Sequence, residues 1–199
     1  MKYDPQKHHR QSIRLKGYDY CSAGAYFIPI CTHQRKCLFG AIRNGVMELN
    51  AYGQVVAECW QEIPQHFPSV QLDAFVIMPN HVHGILIITD NRRHMASSDN
   101  RRDMASSDNR RDMAMPCPYE GTFGKPIPGS LPTIVRSFKS AVTKRINMIR
   151  NAPGTPVWQP NYYERILRDE LALQKVRHYI QMNPVSWEID RLKSYNGCD

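Results

Sequence analysis

The stretch Met78–Ile88, MPNHVHGILII, decides how the chain folds. Pro79-Asn80 is a turn signal. It separates VQLDAFVIM (Val70–Met78) from HVHGILIIT (His81–Thr89), two apolar runs of strand length, and so predicts a hairpin. Side chains alternate along a strand. His81, His83, Ile85 and Ile87 therefore share one side of the second run, and Val82, Gly84, Leu86 and Ile88 the other. Two imidazoles at i and i+2 are close enough to bind one metal ion, and their place just after the turn is one that water and a substrate can reach. A hydrogen-bonded histidine pair at a sheet edge accounts for the same residues without chemistry. A divalent cation also needs oxygen donors or an open position. The metal reading therefore requires a third ligand and a reactive group elsewhere in the chain.

Working outward, AYFIPICT (Ala25–Thr32) is a strand candidate, although Pro29 cannot donate to a ladder and predicts a bulge or local break there. MELNAYGQVVAECWQEI (Met47–Ile63) follows with Leu49, Tyr52, Val56, Cys59, Trp60 and Ile63 at helical spacing. On the far side, LPTIVRSFKSAVTKRINMIR (Leu131–Arg150) is a helix with Ser130 placed to cap it and Pro132 in its first turn. Its buried stripe is Ile134, Phe138, Ala141, Val142 and Ile146. PVWQPNYYERILR (Pro156–Arg168) can hold a short fourth strand. DELALQKVRHYIQMN (Asp169–Asn183) is a last helix, stopped by Pro184. The order β-α-β-β-α-β-α predicts an α+β, ferredoxin-like (RRM-like) antiparallel sheet with an extra C-terminal helix, one domain over residues 1–199.

One segment fits no core. From Asp90 the chain reads DNRRHMASS, DNRRDMASS, DNRRDMAMP, a nine-residue unit in three copies, then a stretch rich in Pro and Gly. Residues 90–130 are thus expected to be an exposed, disordered insertion. Its six Arg and five Asp over Asp90–Met113 nearly cancel, so the net charge of +8 lies almost wholly on the remainder. That surplus favours a polyanionic partner, nucleic acid first. Arg136, Lys139 and Arg150 lie on the polar side of the helix after the insertion, with Lys144 extending it, and could meet phosphates; a solvated basic face is the plainer alternative. No apolar run approaches the roughly 20 residues that span a bilayer. With a charged N-terminus, a cytoplasmic, nucleoid-associated protein without a membrane is expected. The six cysteines are scattered, with no CxxC pair, and read as free thiols.

The last helix can supply what the histidines lack. Tyr179 and Asn183 are one turn apart, on a side shared with Ala172 and Val176. A core tyrosine and a helix-terminal asparagine before proline explain each residue singly. Together with His81 and His83 they make sense as chemistry, because a metal that polarises a phosphodiester oxygen helps a phenol that is otherwise a poor nucleophile.

SIRLKGYDY, MPNHVHGI, VRSFKSAVTKRIN, VWQPNYYERILR and HYIQMNPVSW, in that order, resemble the REP-associated tyrosine transposases, a family of HUH single-strand nucleases. The resemblance runs from Ser12 to Trp187 and leaves out the repeats, which with Pro29 depart from the family pattern. It implies an HUH nuclease core and a C-terminal catalytic helix. It implies His81 and His83 as ligands of Mg²⁺ or Mn²⁺, Asn183 as a third, amide-type ligand, and Tyr179 as nucleophile. The implied activity is metal-dependent cleavage and strand transfer on single-stranded DNA through a 5′-phosphotyrosine. The implied substrate is a palindromic repeat folded as a hairpin, handled by a monomer or homodimer. A non-catalytic, domesticated hairpin-DNA-binding protein is the first alternative, and a metal hydrolase of small substrates the second.

Overall fold

The computed structural model describes residues 15, 17–89 and 127–187. The expected insertion falls outside them except for 127–130, which lead into a helix. The elements are β1 (Gly24–Cys31), β2 (Gly40–Arg43), β3 (Val46–Leu49), α1 (Ala51–Gln61), α2 (Ile63–His66), β4 (Val70–Met78), β5 (His81–Ile88), α3 (Leu131–Ile149), β6 (Arg165–Leu167) and α4 (Glu170–Met182). β1, β4, β5 and β6 form one sheet in the order β4-β5-β1-β6, every neighbouring pair antiparallel. The protein is thus a mixed α+β chain built on a four-stranded antiparallel sheet. No helix among the described residues is long and apolar enough to cross a membrane.

The alternation along β5 sorts the sheet into two faces. Val82, Leu86 and Ile88 join Tyr26, Ile28 and Ile30 of β1 in the larger core, covered by α1 and α3 through Val56, Trp60, Ile134 and Phe138. Ile85, with Phe27 and Ile87 beside it, belongs to a smaller cluster closed by Leu167 of β6 and by Val176 and Ile180 of α4. The histidines share that second face. Gly84, between them and Ile85, faces the first. A Cβ there would lie 2.2 Å from the Trp60 ring, so the missing side chain is what lets the indole approach β5 so closely.

Pro29 produces neither bulge nor break. β1 pairs with β5 without interruption from Gly24↔Ile88 to Cys31↔His81, with Pro29 opposite His83. Thr32 N–H donates to Asn80 O, so the even-numbered backbone groups of β1 point at β5 and the odd-numbered ones away. The missing N–H of Pro29 therefore points away from β5, beyond Phe27↔Arg165, where the pairing with β6 ends. The irregularity sits instead in β4, between Leu72 and Phe75.

The helix expected from Met47 starts later. Asn50 caps it, its side chain accepting from the N–H groups of Tyr52 and Gly53, and Val46–Leu49 is strand β3. The overlooked signal is Asn44-Gly45, both at positive φ (51° and 74°), which turns β2 into β3 as a two-residue hairpin. Ser130 does stand at the start of α3, but its hydroxyl donates to Ile127 O rather than capping the helix. Asp169 caps α4 through Ala172 N–H.

Candidate active site

The mouth of β5 and the C-terminal half of α4 meet on the smaller face of the sheet. The His81 and His83 rings lie 4.4 Å apart, centroid to centroid. Tyr179 sets its ring 5.2 Å from that of His83, and Phe27 of β1 closes the group at 5.3 Å from His83 and 6.1 Å from Tyr179. Trp187, past the end of α4, lies 6.0 Å from His81. Tyr179, Asn183 and Trp187 follow one another at intervals of four residues, so Asn183 lies along the chain between the partner of His83 and the partner of His81.

Burial differs from expectation. His81 and His83 are 0% and 1% exposed, not open to water at the strand mouth; α4 and Trp187 cover them. Tyr179 is 45% exposed and supplies the side that faces solvent. Burial, with His81 beside it, holds the His83 imidazole well below its ordinary titration range, so it is neutral at physiological pH. His83 Nδ1 and Asn183 Oδ1 are buried and have no hydrogen-bond partner among the described residues. Unsatisfied buried polar atoms are costly, and a bound cation is one way to satisfy a ring nitrogen and an amide oxygen. No cluster of three or more His, Cys, Asp or Glu forms among the described residues. A cation here would be held by two imidazoles and an amide oxygen.

α4 is fastened to the sheet beside this site. Arg177 donates Nε to Asp73 Oδ1 (2.8 Å) and Nη2 to Asp73 Oδ2 (2.6 Å), and the guanidinium holds the Asp73 carboxyl below the usual carboxylate range. Asp73 lies at the irregular point of β4, and its Oδ1 also accepts from Ala74 N–H. Asp73 and Phe27 carry no motif that sequence reasoning could have seized. Asn80 passed as a turn residue, yet its Oδ1 lies 2.7 Å from His81 Nδ1.

The four basic residues of α3 fare unevenly. Arg136 and Lys144 are exposed. Lys139 instead turns inward and donates to Gln159 O (2.6 Å), where burial lowers its ammonium to about 8. Arg150 is engaged with Asn147 Oδ1 and Thr155 O at the helix end. Among the other tyrosines near the site's sequence motifs, Tyr162 packs on the larger core and Tyr163 is 70% exposed. Cys59 is a buried free thiol, but Cys37 is disulfide-bonded, so the reading of all six as free fails there.

No family model matches the sequence. The structure is similar to that of a REP-associated tyrosine transposase bound to a REP hairpin, with a TM-score of 0.55 and 16% identity, covering 89% of this chain and 74% of that one. At that identity the likeness is one of fold. An uncharacterized protein of Haemophilus influenzae is 42% identical over 191 residues, 96% of this chain and 97% of its relative. With that identity along nearly the whole of both chains, the protein belongs to the same family as this Haemophilus influenzae protein.

Proposed function

We propose that the protein is a metal-dependent single-strand DNA endonuclease and strand transferase of the HUH type, with Tyr179 as nucleophile. The observation that carries the reading is the meeting of a half-exposed phenol with a buried pair of imidazoles, with a buried, unsatisfied amide oxygen four residues past the phenol. The sheet order β4-β5-β1-β6 supports a ferredoxin-like core, and the whole chain, repeats included, is read as one domain.

His81, His83 and Asn183 would hold Mn²⁺ or Mg²⁺, which would supply charge to polarise a phosphodiester oxygen. The remaining steps belong to the chain. The Tyr179 hydroxyl oxygen attacks phosphorus; the Tyr Oη–P bond forms as the P–O3′ bond breaks. The phenol loses its proton to water and the departing 3′ oxygen gains one, leaving a 5′-phosphotyrosine and a free 3′-OH. Attack by a 3′-OH of the same or another strand reverses the exchange, with no nucleotide triphosphate consumed. Phe27 and the ion pair Arg177–Asp73 keep the tyrosine in place during both steps. The exposed Arg136 and Lys144 are suited to phosphates of a hairpin, the substrate implied by the sequence resemblance.

Burial of both imidazoles would equally suit a hairpin-DNA binder that keeps the fold and does not cut. The distinguishing experiment incubates the protein with labelled single-stranded DNA from beside its own gene and Mn²⁺, then runs a denaturing gel. A covalent adduct that Tyr179→Phe abolishes, with hairpin binding retained, supports the enzyme. Mapping the phosphate to Tyr162 or Tyr163 would overturn the assignment of α4 as catalytic.

A further inference from the structure

The structure assigns a role to Asn80 that its place in a turn does not explain: we infer that it is a positioning residue, fixing the tautomer of His81 so that Nε2 is the nitrogen offered to a metal. The inference rests on the metal reading above and deepens it.

The Asn80 backbone and side chain do separate jobs. Its carbonyl accepts from both the N–H and the hydroxyl of Thr32, a service any residue could render. Its side chain is fully buried and reaches two further groups. Nδ2 donates to Arg35 O at 3.2 Å. That bond settles which end of the amide is the donor and leaves Oδ1 facing His81 Nδ1 at 2.7 Å. An amide oxygen only accepts, so the proton of this bond belongs to Nδ1. In a neutral imidazole the other nitrogen, Nε2, then carries the lone pair.

The carbonyl that orients Asn80 is itself held in an unusual place. Gln34 and Arg35 both adopt the left-handed backbone region, at φ 56° and 54°, which residues other than glycine seldom occupy. Thr32 closes the same turn, its one hydroxyl proton shared between Asn80 O and Lys36 O. The turn after β1 thereby presents a carbonyl to the β4–β5 turn, the amide relays that orientation, and the imidazole receives it. Partners of this kind on ligand histidines commonly change metal affinity by about 10–100-fold when removed.

The test starts without metal or DNA. Two-bond ¹H–¹⁵N correlations of the histidine rings in ¹⁵N-labelled protein, with the His81 peaks identified by His81→Gln, report which nitrogen carries the proton. The wild type is expected to show His81 protonated on Nδ1. Asn80→Ala should lose that fixed pattern, whereas Asn80→Asp, which keeps an acceptor toward Nδ1, should retain it. A Mn²⁺ titration read by the electron-spin signal of the free ion should show affinity reduced about 10–100-fold in Asn80→Ala. A wild-type ring protonated on Nε2 overturns the inference, and that spectrum does not depend on any variant folding. An Nδ1–H pattern unchanged in Asn80→Ala overturns it as well. A wild type with the Nδ1–H tautomer that binds no Mn²⁺ supports the tautomer assignment while sinking the metal reading.

Discussion

Gly84→Ala offers the sharpest quantitative check on how β5 is held. The added Cβ would stand 2.2 Å and 2.4 Å from two carbons of the Trp60 six-membered ring, against an ordinary carbon–carbon separation of about 3.5–4.0 Å. The indole must therefore recede by more than about 1 Å, or β5 must move. Neither is free. Trp60 is stacked on Phe75 with centroids 5.8 Å apart and meets Phe138 edge-on at 5.2 Å. Overpacking of this kind costs about 1–3 kcal/mol. For a chain of this length each kcal/mol lowers Tm by about 2–4 °C, so the expected fall is about 2–12 °C in a thermal melt followed by circular dichroism. In a Trp60→Phe background, which removes the offending carbons, the same change should cost about 0.5 kcal/mol or less, giving a coupling energy that a double-mutant cycle can read. A single variant melting within about 1 °C of wild type, or an equal loss in both backgrounds, would refute the packing argument.

His81→Ala and His83→Ala should each abolish the covalent DNA adduct while gel-shift affinity for a hairpin stays near wild type; affinity collapsing in step with cleavage would mark the histidines as structural. Lys139 titrates near 8 in the folded protein and near 10.4 when unfolded. The unfolded chain therefore binds more protons between those values, and Lys139 makes stability rise with pH across them. Lys139→Met should flatten that rise in melts from pH 8 to 10, and an unchanged slope would remove Lys139 as its source. The Asp73 carboxyl is held low by Arg177, so its contribution is complete above the unfolded carboxylate range and disappears as pH falls through the lower folded value. Asp73→Asn should melt below wild type at pH 7 and approach it under strong acid; a gap that persists there would assign the loss to packing instead.

Period-two alternation in β5 was enough to put the histidines on one face and Leu86 on the other, because burial on both sides of a central strand leaves no freedom of register. The hairpin at Pro79-Asn80, the long α3 and the stop of α4 before Pro184 were legible for similarly local reasons. The β2–β3 hairpin was missed because Leu49, the last residue of β3, falls in helical register with Tyr52 and Val56, and the Asn44-Gly45 turn signal was passed over. Pro29 misled because a sequence shows that an N–H is missing but not which neighbour it would have faced. Enclosure of the histidines was equally invisible. Whether an imidazole at a strand mouth meets water depends on Tyr179 and Trp187, about 100 residues downstream, and on how α4 lies across the sheet.

β5 carries the histidines at one end and, at the other, leads through Thr89 to the start of the undescribed stretch. Thr89 is anchored there, its N–H and hydroxyl both bonded to Ser69 O. The strand rises about 3.3 Å per residue, so His81 and Ile88 are separated by roughly 23 Å. Re-entry at Ile127 is likewise pinned, its carbonyl accepting from Ser130 and Thr133. A guest sequence grafted between Thr89 and Ile127 would thus leave from one fixed post a strand's length from His81 and return at a second. This is the place to attach a fluorescent reporter or an affinity handle away from the histidine end of β5.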